Sequence, residues 1–61
     1  DEKPASAYHD KIIGYLDAEY KKSGAVLTPK QITTRLKINH ANNKGYVSAT
    51  TKKWKEQNGI Q

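Results

Sequence analysis

The 61-residue sequence predicts a small all-α domain of three helices. Three observations carry that expectation. Apolar residues recur at helical spacing in the first third of the chain. A complete helix-start signature stands at residues 27–32. A serine- and threonine-rich segment with one tryptophan closes on a glycine.

The first helix is read over about residues 7–22. Tyr8, Ile12, Ile13, Leu16 and Tyr20 form one apolar stripe at helical period. Ser6 is the expected N-cap. Asp10 near the start and Lys21 and Lys22 at the end suit the helix dipole. Gly24 then supplies a left-handed stop. Gly14 either permits a close helix crossing or is tolerated at about 1 kcal/mol against alanine. Tyr15 lies off the stripe and is expected at the surface. Residues 1–5, polar and holding Pro4, read as a flexible lead-in.

The second helix is read over 29–37. Thr28 is the N-cap, and Pro29 sits at N1, where its missing N–H costs nothing. Gln31 at N3 completes a capping box, while Leu27 and Ile32 form a hydrophobic staple. So short a helix is unstable alone in water. It is expected to dock on the first helix through Ile32 and Leu36, with Val26 and Ile38 closing the seam. A minimal strand over 25–27 is the one extended alternative.

Residues 39–45 (NHANNKG) are turn formers and polar residues apart from Ala41, which predicts a loop. The third helix is therefore placed over about 46–58, with Gly59 and Ile60 closing it. Its buried side is Val47, Thr50, Thr51, Trp54 and Asn58. Lys44, Ser48, Lys52 and Lys55 gather on an adjoining outward stripe, and Tyr46 is assigned to packing at the loop end.

Charge is unevenly distributed within the net +5. Residues 1–20 hold five carboxylates against two lysines, whereas residues 21–61 hold nine cations against Glu56 alone. A basic block of this kind suits either a polyanionic partner or a solvated lysine face. No cysteine is present, so no disulfide braces the fold, and the cytosol or nucleus is the expected compartment. No run approaches the ~20 apolar residues of a membrane span. The start at Asp1 reads as a domain cut from a larger protein.

Catalysis and metal binding find little support. No phosphate-loop motif occurs. A zinc site needs three or four ligands, and His9 and His40 stand far apart with Asp10 the one carboxylate beside either. Neither an enzyme nor a cofactor-binding protein is expected.

TPKQITTRLKI followed by VSATTKKWKEQNGI resembles the helix-turn-helix superfamily, and is most similar to its winged-helix and phage- or transposase-type members. The resemblance covers about residues 26–60. It implies a small three-helix DNA-binding domain, with the wing absent and the third helix in a major groove of double-stranded DNA. The expected DNA-binding residues are then Lys30, Lys44, Lys52, Lys53 and Lys55 on phosphates, with Ser48 and Thr51 at base edges. Arg35, the one arginine, is not on the third helix, so phosphate contacts should outweigh base readout. The loop at 39–45 departs from the three or four residues that usually join such helices. Two other partners fit the residues: structured RNA, or a protein bound by the acidic first helix through Asp10, Asp17 and Glu19. A homodimer or a partner domain of the parent protein is a further expectation.

Overall fold

The computed structural model of the chain describes residues 3–60. A single 3-10 turn, Ala5–Tyr8, leads into three helices: α1 (His9–Ser23), α2 (Pro29–Leu36) and α3 (His40–Gln57). No strand occurs among the described residues, so the extended option at 25–27 is not realised. The radius of gyration is 10.9 Å, against ~10.5 Å for a compact chain of this length.

The start of the chain differs from the expectation. Ser6 is not an N-cap: it lies within the 3-10 turn, and α1 begins at His9 with no side-chain cap. Ala5, expected in a flexible lead-in, is instead 1% exposed. Its N–H donates to Asn43 Oδ1 at 3.0 Å, fixing the chain's start to α3. Asp1 and Glu2 lie outside the described residues.

Ile12 and Leu16 carry the buried stripe of α1. Tyr20 is 40% exposed, yet its ring stands edge-on to Trp54 with centroids 5.7 Å apart. Tyr15 packs against the core, contrary to the surface position expected of it. Gly24 closes the helix at φ 74°, its N–H donating to the Tyr20 carbonyl.

The start of α2 follows the sequence signature. Gln31 N–H donates to Thr28 Oγ1, and Thr28 N–H donates to Gln31 Oε1 at 2.9 Å. Leu27 and Ile32 are both buried. The helix packs chiefly on α3, however, rather than on α1. Ile38 and Val26 join the core as expected.

The largest correction concerns residues 39–45, which are not a loop. Asn39 caps α3, accepting from Asn42 N–H at 2.9 Å. Asn43 Nδ2 donates to the Asn39 carbonyl while Asn43 Oδ1 takes the Ala5 N–H. Asparagine is a weak helix former because its amide competes for backbone groups. Here those amides are spent on a cap and on a tertiary bond, so the penalty is offset. Only residues 37–39 now separate α2 from α3.

Val47, Thr50, Thr51 and Trp54 form the buried side of α3 as expected, but Asn58 does not join them. It is exposed at the helix end, its Nδ2 donating to the Trp54 carbonyl. Gly59, at φ 68°, lets Ile60 N–H return to the Lys55 carbonyl at 2.8 Å. Trp54 Nε1 donates to Asp17 Oδ1 at 2.7 Å, joining α3 to α1.

Two backbone positions are not optimal. Lys37 sits at φ 59°, the one non-glycine with positive φ among the described residues. Gly14 has nothing within 4 Å of where a Cβ would stand, so no close crossing requires it. We expect Lys37→Gly and Gly14→Ala each to stabilise the fold by about 1 kcal/mol. Each should raise Tm by ~4–8 °C in thermal unfolding followed by circular dichroism. An unchanged or lower Tm would count against this backbone assignment.

Candidate nucleic-acid interface

The early start of α3 adds His40 to its row of residues, half-buried, about 20° from Val47 and hydrogen-bonded to Thr33 of α2. His40, Lys44, Ser48, Lys52 and Glu56 stand four residues apart, forming one ridge along the helix. At ~100° per residue, Lys44, Lys55, Ser48 and Lys52 lie within about 80° of one another. The buried arc of Val47, Thr50, Thr51 and Trp54 faces α1 and α2, so this lysine stripe turns away from most of the core.

Ser48, Thr51, Lys52 and Lys55 border one groove of about 500 Å³, completed by Pro29, Glu56 and Ile60. Pro29 brings the first turn of α2 to the same place. Lys30 is the next residue and is exposed. Lys44 is exposed one turn before Ser48. Lys53 parts from this group. It borders a separate groove of about 460 Å³ with His9, Tyr46, Ala49 and Thr50. Lys52 and Glu56 border both grooves and so form the crest between them.

Thr51 is 7% exposed, and its Oγ1 is buried without a hydrogen-bond partner. It is therefore poorly placed to reach a base edge. Its position, about 40° from Val47, falls inside the buried arc.

Two of the three acidic residues of α1, Asp17 and Glu19, already have internal partners. Asp17 accepts from Trp54 Nε1. Glu19 accepts from Ser23 Oγ at 2.8 Å and pairs with Arg35 at 3.5 Å. The pair is partly exposed and contributes little stability, but it holds the single arginine beside α1.

Both histidines are hydrogen-bonded to hydroxyl groups. His9 Nδ1 meets Tyr46 Oη at 3.0 Å, and His40 Nδ1 meets Thr33 Oγ1 at 3.1 Å. Tyr46 is 38% exposed and stands edge-on to His9, so it packs only in part. No three metal-binding side chains gather among the described residues. No helix of those residues is long and apolar enough to cross a membrane.

His40 and Glu56 were not among the residues expected at this face. Placing His40 in a loop hid its spacing to Lys44. Glu56 completes the same four-residue row and was legible from that period.

Thr51→Val removes an unpaired buried hydroxyl while keeping the side chain's shape. It should stabilise the domain by about 1 kcal/mol and raise Tm by ~4–8 °C in thermal unfolding. An unchanged or lower Tm would count against a buried, unpaired hydroxyl at this position.

Comparison with known proteins assigns no family: no family model, no curated protein and no solved structure matches the chain.

Proposed function

We propose that this chain is a helix-turn-helix DNA-binding domain whose third helix enters the major groove of a duplex. The observation that carries the reading is the stripe of Lys44, Ser48, Lys52 and Lys55 on the outward face of α3. The three-residue join between α2 and α3 adds support, being the length such units use. Lys30 at the start of α2 adds a cation where free helix N–H groups also favour anions.

Binding on this reading is mostly phosphate neutralisation. Four lysines predict a slope of log affinity against log salt of about −3 to −4. Ser48 is the remaining short polar side chain for a base edge, so sequence preference should be weak without a partner domain. The acidic face of α1 is the less favoured alternative, because Asp17 and Glu19 are engaged internally.

The test is titration of labelled duplex DNA with wild type, the Lys52→Glu/Lys55→Glu double variant, and Lys53→Glu. The double variant should bind at least about tenfold more weakly at low salt, with a shallower salt slope. Its Tm should stay within a few degrees of wild type, since all three side chains are at least partly exposed. Lys53→Glu, on the other groove, should have the smaller effect. Equal binding by wild type and the double variant would reject the assignment, and tighter binding to structured RNA would move it to that polymer. Glu56→Gln removes the one carboxylate on the ridge and should tighten duplex binding a few-fold.

A further inference from the structure

The first residue of the ridge carries chemistry that a lysine does not. Thr33 is 1% exposed, and its hydroxyl donates to the Lys30 carbonyl at 3.0 Å. A hydroxyl has one hydrogen to give. Toward His40 the Thr33 oxygen therefore accepts, and the hydrogen of the 3.1 Å contact belongs to His40 Nδ1. This assigns the tautomer of the neutral ring: Nδ1 is protonated and Nε2 bears the lone pair.

Nε2 has no hydrogen-bond partner among the described residues. Thr51 Oγ1 is the sole buried side-chain polar atom there without a partner, so Nε2 of the half-buried His40 is not fully enclosed. The imidazole is held by one nitrogen and keeps the other unpaired. Lys44 follows one turn later on the same side of α3, the spacing at which helix side chains are neighbours.

Among the described residues the surroundings offer no internal counter-charge. α2 supplies Lys30, whose carbonyl anchors the same network, and the turn supplies Lys37. The 3-10 turn that packs on α3 has no charged side chain. On α1, Asp17 and Glu19 have the partners described above. Arg35 with Glu19 is the ion pair among the described residues, so none of their carboxylates pairs with His40.

We propose that His40 is a further DNA-binding group. Its charged ring donates from Nε2 to a backbone phosphate that Lys44 also meets, so duplex binding takes up a proton. The inference rests on the DNA reading above. An imidazole changes charge between about pH 5 and 8, and an adjacent anion favours the charged form. Affinity therefore rises as pH falls through that range. Nδ1 keeps its hydrogen in both states, so the bond to Thr33 survives and the ring need not turn.

The experiment measures anisotropy of a labelled mixed-sequence duplex at constant ionic strength, between about pH 5.5 and pH 8. Wild type, His40→Gln and His9→Gln are compared. Wild type and His9→Gln should bind roughly five- to tenfold more tightly at the acid end. His40→Gln should lose most of that gain and match wild type near pH 8. A second readout uses intact protein: the His40 ring proton resonance is titrated by NMR with and without duplex. Its midpoint should move to higher pH when duplex is present. Binding that is independent of pH, a pH dependence kept by His40→Gln, or a midpoint unmoved by duplex overturns the inference alone. No binding at any pH overturns the DNA reading and takes this inference with it.

Discussion

The indole of Trp54 is where the two halves of the domain meet. It is 3% exposed, lies edge-on to Tyr20, and donates to Asp17. Burying an indole brings a large apolar gain, and pairing its N–H avoids the cost of an orphaned donor. Trp54 also sets the rotation of α3. With Val47 and Trp54 turned inward, helical geometry turns Ser48 and Lys52 outward. The candidate binding face is thus a by-product of core packing. Neither α1 nor α2 leans mainly on the other, and α3 supports both.

The parts legible in sequence are those governed by neighbours in sequence. The Thr28–Gln31 box, the Leu27–Ile32 staple and the Gly59 stop each depend on a few consecutive residues, and each stands where expected. The stripe of Lys44, Ser48, Lys52 and Lys55 depended on helical period alone. Residues 39–45 were misread because their decisive partner, Ala5, is 38 positions from Asn43. No local rule reports such a bond. Thr51 reads both on the buried side of the helix and, through the resemblance, at a base edge; at 7% exposure only the first reading stands. His40 was hidden by the same error that cut α3 short.

The charge pattern acquires a physical meaning in three dimensions. The carboxylates of the first third are not simply a surface of opposite sign. Asp17 and Glu19 tie α1 to α3 and α2. The cations of α3 have no such obligations, since Arg35 with Glu19 is the ion pair found among the described residues. Two carboxylates are thus engaged in holding the helices together, while the lysines of α3 face outward.

Asn43 grips two things at once, the carbonyl of Asn39 and the N–H of Ala5. The opening turn of α3 is therefore moored to the 3-10 turn that precedes α1. A pull on that leading end, from a tether or a neighbouring module, would load the helix at the very turn that holds His40 and Lys44. The amide acts as a coupling through which tension upstream is felt at the first turn of α3.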